Sequence, residues 1–447
     1  MAKKLFGTDG IRGVAGEPPL DDDTVFAVGS ALGKSLLTTV DATAVIGMDT
    51  RESGPHITAL LASGLASQGV AVRSAGIITT PGVAYLTRSR SLAAGIMISA
   101  SHNPFHDNGI KVFGPSGMKL PDHQEEDLEA EIARLREDGR GTETKRLTSE
   151  EALQETYLNY LLSVAAEEPD ITATRVIVDC ANGAASQLAP KVFERLGVDA
   201  EIVGDQPNGR NINEGCGSLH LENLRQRVSE SNGRVGIAFD GDADRVLFVA
   251  EDGSVVDGDV ILLLAAEYLA RRDRLPGDRI VTTVMANMGL EKALGEKGLS
   301  MLRTSVGDKY VLEEMLRVGA ELGGEQSGHI IFRSYATTGD GLLTALMILR
   351  ILAAENKPLS ELRTRLAVFP QKLENVRVTR KPPIEKVPVI ADAVDRSRHE
   401  LNGRGRVVVR YSGTEPLARV MVEAETQAMV DEHTRRLVEL FQQELGA

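Results

Sequence analysis

Three times along the chain, an apolar segment with strand character ends in a polar turn that opens a helix. The segments are residues 43–49, 175–179 and 280–284, and each is followed by small or polar residues and then by a helical stretch. Alternating strands and helices are typical of α/β units with largely parallel sheets. The pattern therefore predicts three related α/β domains.

The chain is too long for one hydrophobic core, because it has 447 residues and domains average about 150 residues. After residue 370 the pattern changes, and strands at 374–378 and 406–410 with a last helix at 430–445 predict a smaller α+β domain. We expect three mixed α/β domains and this C-terminal domain around one central cleft. The expected boundaries are 1–155, 156–256, 257–370 and 371–447.

The composition narrows the class of protein. The net charge is −14, from 64 acidic and 50 basic residues, which argues against a nucleic-acid partner. Cys180 and Cys216 form neither a metal-ligand spacing nor a disulfide framework, as expected in a reducing cytosol. No secretory signal is visible, and the longest apolar runs are far shorter than the ~20 residues of a membrane span. These features predict a cytoplasmic protein without a membrane partner.

A strand–loop–strand unit recurs once in each expected domain. Each loop contains polar, hydroxyl and charged residues that its flanking strands lack. Four such loops facing one another would build one cleft. The loops centre on Ser101 and on residues 240–245, 323–329 and 410–416.

The first loop places Ser101 just after an apolar strand, followed by His102 and an Asn-Pro turn signal. A hydroxyl on a loop at a strand end suits a nucleophile or a phosphate carrier, but an ordinary strand-to-turn junction has the same appearance. Arg12 lies in a glycine-rich segment at 7–13, which is either a flexible turn or a means of presenting arginine to an anion.

The second loop has Asp240, Asp242 and Asp244 at alternate positions. In an extended backbone these carboxylates share a face, and their mutual repulsion favours a bound cation such as Mg²⁺ or Ca²⁺. An EF-hand is excluded because Arg245 occupies the required glycine position and the flanks are strand-like. An acidic surface turn remains the alternative.

The third loop offers Glu325, Ser327 and His329. Alternating polar groups of this kind suit a polyol, and a titratable imidazole suits proton transfer. A simple hydrogen-bonding loop is the alternative.

The fourth loop offers the hydroxyls of Ser412 and Thr414, the backbone of Gly413, and Arg410 and Arg419 on either side. Exposed amides with flanking guanidinium groups favour an anion site. The alternative is a surface turn with unrelated arginines.

These motifs resemble the α-D-phosphohexomutase family across the whole chain. The matching segments are Gly-Thr-Asp-Gly-Ile-Arg-Gly at 7–13, Ser-Ala-Ser-His-Asn-Pro at 99–104, Asp-Gly-Asp-Ala-Asp-Arg at 240–245, Gly-Glu-Gln-Ser-Gly-His at 324–329 and Arg-Tyr-Ser-Gly-Thr-Glu-Pro at 410–416. All five stand in the family's order.

The resemblance implies a four-domain enzyme with a phosphoserine at Ser101. It implies Mg²⁺ held by that phosphoserine and by Asp240, Asp242 and Asp244. Glu325 and Ser327 would bind sugar hydroxyls. The residues implied in holding the phosphate that is not transferred are Arg410, Ser412, Gly413, Thr414 and Arg419.

The implied reaction converts glucosamine 6-phosphate to glucosamine 1-phosphate and feeds amino-sugar and cell-wall synthesis. Glucosamine 1,6-bisphosphate would serve as its intermediate and activator. Arg12 and Lys111 would stabilise the transferring group, His329 would transfer the proton with Lys111 as second candidate, and Arg245 would orient the metal loop or contact phosphate. The choice of sugar rests on Gln326, because family members acting on mannose or glucose phosphates usually have Met there. A mutase for mannose or glucose phosphates is the alternative within the family. A homodimer is also expected.

Two other functions fit the residues. One is a Mg²⁺-dependent phosphatase that hydrolyses its own phosphoserine. The other is a binding protein regulated by phosphorylation of Ser101, without turnover.

Overall fold

The structure is a computed structural model that describes residues 5–7, 9–37, 39, 41–137, 147–167, 169–412 and 416–446. The chain divides into two compact units, Met1–Thr283 with Met301–Thr364 and Val284–Ser300 with Arg365–Ala447. Among the described residues, no helix combines the length and hydropathy that crossing a membrane requires.

The first part of the larger unit is a five-stranded sheet with helices. Its elements are β1 (Ile11–Val14), α1 (Asp22–Ser35), β2 (Thr43–Met48), α2 (Gly54–Ser67), β3 (Ala71–Ile77), α3 (Thr80–Ser89), β4 (Ala94–Ile98), β5 (Asp107–Phe113) and α4 (Asp122–Glu137). The strand order is β1-β5-β4-β2-β3. All five residues of β4 are buried, which explains its continuous apolar sequence, since a strand covered on both faces does not alternate.

The second part repeats this architecture. Its elements are α5 (Glu151–Ala165), β6 (Arg175–Asp179), α6 (Ala189–Leu196), β7 (Asp199–Val203), α7 (Glu222–Glu230), β8 (Val235–Phe239), β9 (Val246–Val249) and β10 (Val255–Val256). The strand order is β10-β9-β8-β6-β7.

The third part has four strands in the order β12-β11-β13-β14. Its elements are α8 (Gly258–Ala270), β11 (Arg279–Thr283), β12 (Ser300–Thr304), α10 (Asp308–Val318), β13 (Leu322–Gly324), β14 (Ile330–Phe332), α11 (Gly341–Glu355) and α12 (Leu359–Leu362). Between β11 and β12 the chain forms α9 (Met288–Glu296), which belongs to the smaller unit.

The three sheets share one order over four strands, β3-β2-β4-β5, β7-β6-β8-β9 and β12-β11-β13-β14, which confirms the prediction of three related α/β domains. In each sheet, the strand that precedes one of the predicted polar loops pairs in parallel with an earlier strand. These parallel pairs are β2 with β4, β6 with β8 and β11 with β13. The next strand then returns antiparallel. The sheets are therefore mixed rather than largely parallel, because each polar loop belongs to a hairpin.

The smaller unit has an antiparallel sheet of order β15-β17-β16. Its remaining elements are β15 (Gln371–Arg377), α13 (Pro388–Leu401), β16 (Gly405–Tyr411), β17 (Leu417–Ala424) and α14 (Gln427–Leu445). Alternate residues of β17 from Ala418 to Ala424 pack with side chains of α13 and α14 in one core. Helix α9 joins this unit, since the amide of Met288 donates to Glu423 at 2.7 Å. The C-terminal segment is α+β, as predicted.

Candidate active site

Ser101 lies in the hairpin loop between β4 and β5. Its φ angle is +53°, in the left-handed region, and only 1% of the residue is exposed. Its Oγ donates a hydrogen bond to Oδ2 of Asp240 at 2.5 Å. The hydroxyl of the first loop therefore faces the carboxylates of the second.

The three aspartates of the second loop are buried, and one oxygen from each lies within 4.8 Å of the others. The predicted convergence is present, but the predicted cause is wrong. The loop is a turn rather than an extended strand, and Ala243 within it has a φ angle of +55°. A tight turn therefore brings Asp240, Asp242 and Asp244 together.

Lys111 on β5 supplies a positive charge to this cluster. Its Nζ lies 2.8 Å from Asp242 Oδ2 and 3.2 Å from both Asp244 Oδ2 and Asp9 Oδ2. Burial alone would lower the pKa of Lys111, but these three carboxylates outweigh it and hold the pKa well above its usual value. Lys111 therefore offsets part of the repulsion among the aspartates.

The aspartates also fit a divalent cation. Oδ1 of Asp242 and Oδ1 of Asp244 are buried without a hydrogen-bond partner, an arrangement that costs free energy unless another group binds them. Burial, with the charges of Asp244 and Asp242, raises the pKa of Asp240 well above its usual value. Hard oxygen ligands of this kind suit Mg²⁺. The described residues could therefore hold a metal ion at this site.

Asp9 links Lys111 to two further cations. It pairs with Arg12 and accepts a hydrogen bond from Lys119 Nζ at 2.5 Å. Burial would raise the pKa of Asp9, but the charges of Lys111, Lys119 and Arg12 outweigh it and keep the carboxyl ionised. Arg12 Nη1 also lies 3.5 Å from Asn103 Oδ1 in the Ser101 loop. Asp9, in the same glycine-rich segment as Arg12, and Lys119 were not among the predicted site residues.

Arg245 follows the aspartates and reinforces their loop. Its backbone amide donates to Asp240 Oδ1 at 3.1 Å, and its Nε lies 3.8 Å from Asp244 Oδ1. Burial would lower the pKa of Arg245, but Asp244, Asp240 and Glu325 raise it. Its predicted contact with phosphate stays a prediction.

The third loop is joined to the second by backbone contact, since Val246 N donates to Gly328 O at 3.1 Å. Glu325 is half-buried and accepts from Gly307 N at 3.2 Å, while Ser327 is exposed. The side chain of Gln326 hydrogen-bonds Asp257, the residue that caps α8.

His329 closes the cluster from the third loop and is 2% exposed. Its Nε2 accepts a hydrogen bond from Gly339 N at 2.8 Å, so the imidazole proton belongs on Nδ1, which lies 3.7 Å from Asp244 Oδ1. A side chain at position 339 is excluded, because a Cβ there would lie 2.6 Å from the imidazole ring. Gly339 therefore orients His329, a role that no sequence motif indicated.

Asp340 follows Gly339 and fixes the start of α11. Its Oδ1 accepts from Leu343 N at 3.0 Å, and its Oδ2 accepts from the Tyr157 hydroxyl at 2.7 Å. Burial raises the pKa of Asp340 from 3.8 to about 6. The native state therefore binds a proton here more tightly than the unfolded chain does.

This shift predicts how stability depends on pH. Stability from protonated Asp340 is fully present below about pH 4 and is lost as pH rises through about 6, a total of about 3 kcal/mol. Asp340→Asn keeps a capping oxygen but cannot ionise. We expect the melting temperature of the variant, measured by calorimetry, to rise relative to that of the wild type as the pH increases from 4 to 7. A difference that is constant across this range would contradict the prediction.

His102 adjoins Ser101, and its Nδ1 lies 3.3 Å from Ser101 Oγ. Burial, followed by the charges of Arg245 and Arg12, lowers the pKa of His102 to about 4. The imidazole is therefore neutral near neutral pH. Sequence reasoning assigned it no role.

The fourth loop belongs to the smaller unit. Arg410 and Arg419 are directly opposite each other on β16 and β17, so that two positively charged residues are neighbours across the sheet. Burial and the charge of Arg419 lower the pKa of Arg410. Lys381 Nζ, not predicted from the sequence, donates to Ser412 O at 2.6 Å. Gly413 and Thr414 lie outside the described residues.

Four family models match the chain. They are the phosphoglucomutase/phosphomannomutase α/β/α domain I at residues 3–138, domain II at 155–253, domain III at 257–369 and the C-terminal domain at 373–440. The chain is 53% identical over 447 residues to a phosphoglucosamine mutase of Solibacter usitatus, covering 100% of both proteins. It is 52% identical to one of Koribacter versatilis, covering 99% of this chain and 98% of the relative.

Solved structures are similar over the whole length. A phosphoglucomutase/phosphomannomutase family protein of Burkholderia thailandensis has a TM-score of 0.81 and 25% identity, covering 100% of this chain and 99% of that one. An Aspergillus fumigatus N-acetylphosphoglucosamine mutase in complex with GlcNAc-6P and magnesium has the same fold, with a TM-score of 0.68, 19% identity and coverage of 98% and 95%. The chain therefore belongs to the phosphoglucomutase/phosphomannomutase family, the α-D-phosphohexomutases.

Proposed function

We propose that this chain interconverts glucosamine 6-phosphate and glucosamine 1-phosphate through phosphorylated Ser101 and glucosamine 1,6-bisphosphate. The observation that carries the proposal is the hydrogen bond of Ser101 Oγ to Asp240 at the edge of the buried aspartate cluster. The sugar is supported by the relatives, which are named phosphoglucosamine mutases at 53% and 52% identity.

Mg²⁺ is the proposed metal, held by Asp240, Asp242, Asp244 and the phosphate on Ser101. When bound, it would neutralise charge on the transferring phosphoryl group. The two buried carboxylate oxygens without a hydrogen-bond partner, Oδ1 of Asp242 and Oδ1 of Asp244, support this assignment.

In the proposed forward reaction, the bond from phosphorus to Ser101 Oγ breaks as a bond to O1 of glucosamine 6-phosphate forms. The O1 proton passes to Nε2 of His329, which gives up its hydrogen bond from Gly339 N to accept it, and His329 returns a proton to Ser101 Oγ. After the bisphosphate reorients, the bond from phosphorus to O6 breaks as Ser101 Oγ takes the phosphoryl group, and the Ser101 proton passes to O6, which leaves glucosamine 1-phosphate. Lys111 and Arg12 stabilise negative charge as this happens, and the high pKa of Lys111 keeps it protonated.

Substrate binding is divided among the other loops. Glu325 and Ser327 bind sugar hydroxyls, and Arg245 contacts phosphate. The residues proposed to hold the phosphate that is not transferred are Arg410, Ser412, Gly413, Thr414 and Arg419. The facing arginines of the fourth loop support this division.

The proposal includes a cytoplasmic enzyme of four domains with the boundaries 1–155, 156–256, 257–370 and 371–447. The four family matches support this division. The homodimer stays a prediction, and light scattering of the purified protein would measure it.

A coupled assay with the 6-phosphates of glucosamine, glucose and mannose tests the proposed function. We expect kcat/KM for glucosamine 6-phosphate to exceed the others by about 10²-fold, because a site that binds an amino group loses that contact with a hydroxyl. Comparable rates with glucose or mannose 6-phosphate would overturn the choice of sugar.

The same assay tests the proton-transfer role of His329. His329→Asn should lower kcat by about 10²-fold or more while KM changes little. An unchanged kcat would contradict this role.

A further inference from the structure

A buried ion pair lies against the loop that presents Ser101. Asp49 follows β2, and Arg51 stands two residues later; both side chains are 0% exposed. Arg51 Nε donates to Asp49 Oδ2 at 2.9 Å, and Arg51 N donates to Asp49 Oδ1 at 3.0 Å. The two residues therefore form a rigid unit.

The guanidinium of Arg51 is directed to the backbone of the Ser101 loop. Nη2 donates to the carbonyl oxygens of Ser101 and Asn103, each at 2.9 Å, and Nη1 donates to that of Pro104. Three carbonyl groups of one loop are thus held by one planar side chain, a geometry that a lysine cannot reproduce.

Asp49 is connected through Ser99 to the backbone amide of Ser101. Its Oδ2 accepts from Ser99 Oγ at 2.6 Å, and Ser99 Oγ accepts from the amide of Ser101 at 2.9 Å. Both the carbonyl and the amide of Ser101 are therefore tied to the ion pair, directly or through Ser99.

This attachment matters because Ser101 has a φ angle of +53°. A left-handed conformation costs a residue with a side chain about 1–2 kcal/mol and persists only where the surroundings impose it. A contribution to stability does not by itself explain this buried ion pair, since well-packed apolar residues can replace buried ion pairs without loss of stability.

We propose that Arg51, held by Asp49, is a positioning residue that fixes the backbone of Ser101 so that Oγ faces the aspartate cluster. The inference rests on the proposed function for its kinetic consequence. Asn213 Nδ2 donates to the same carbonyls of Ser101 and Asn103, at 3.0 and 3.1 Å. The loop therefore keeps some support when Arg51 is changed.

The test compares Arg51→Lys and Ser99→Ala in the full-length protein with Arg350→Met as control. Arg350 is also buried at 3% exposure and pairs with Glu167 at 2.9 Å, but it lies on α11 away from the Ser101 loop. We expect Arg51→Lys to lower kcat by about 10²-fold and Ser99→Ala by about 10-fold, with KM within about threefold, because displacing a reacting atom by about 1 Å has this effect.

Hydrogen exchange followed by mass spectrometry gives a readout independent of catalysis. Amides at residues 99–103 should exchange at least about tenfold faster in both variants and at the wild-type rate in the control. If the wild type isomerises none of the sugar phosphates, the proposed function fails, while this exchange measurement still decides the positioning role. If Arg51→Lys folds and both its kcat and its amide exchange rates equal those of the wild type, the proposal is overturned. If Arg51→Lys does not fold, the same result in Ser99→Ala overturns it.

Discussion

Ser101→Ala should remove essentially all isomerisation, a loss of about 10⁴-fold or more in kcat, because no other group can accept the phosphoryl group in its place. Binding of glucosamine 6-phosphate should change by less than about threefold, because the sugar and the distal phosphate are bound by other loops. Isothermal calorimetry would measure the affinity, and the coupled assay the rate.

Intact mass spectrometry adds a second readout for this variant. The resting wild-type enzyme should carry one phosphate that the variant lacks. Ser116→Ala is the control, since Ser116 is an exposed serine on the turn after β5, and it should retain both phosphate and activity. A Ser101→Ala protein that isomerises at more than about 1% of the wild-type rate would show that the carrier is a different group.

Removal of divalent metal should lower kcat by about 10³-fold or more, because charge on the transferring group then lacks its main neutralising partner. Addition of Mg²⁺ after chelation should restore the rate. The protein should stay folded throughout, because Lys111 already lies 2.8 Å from Asp242 and offsets the clustered carboxylates.

Thermal unfolding separates metal binding from activity. Mg²⁺ at 100 times its dissociation constant should stabilise the wild type by about 2.7 kcal/mol. Asp242→Asn should lose most of this gain, whereas Asp170→Asn, at an exposed site, should keep it. An equal gain in both variants would place the metal elsewhere.

Much of the fold follows from local pattern. The sequence predicts a strand on each side of the loop at 240–245, and the structure has β8 at Val235–Phe239 and β9 at Val246–Val249. Apolar runs bounded by polar turns define such elements without reference to the rest of the chain.

The contacts between loops could not be predicted in this way. Lys111 was expected to face phosphate, yet its ammonium lies among Asp9, Asp242 and Asp244, which come from two parts of the chain. Residue spacing describes one element at a time, whereas these contacts depend on how separate domains pack.

The choice between Ser99 and Ser101 shows the same limit. Both hydroxyls follow β4, and their chemistry alone does not distinguish them. The structure does, because Ser99 Oγ donates to Asp49, whereas Ser101 Oγ donates to Asp240 in the aspartate cluster. Ser99 therefore supports the loop, while Ser101 reaches the cluster.

The common strand order of the three sheets bears on the origin of the site. Hairpins β4–β5, β8–β9 and β13–β14 occupy equivalent positions in their sheets, as expected after repeated duplication of one ancestral gene segment. Equivalent loops would at first have had identical residues. Their present differences, a serine in one copy, aspartates in the next and a glutamate and histidine in the third, then represent divergence of redundant copies into complementary tasks.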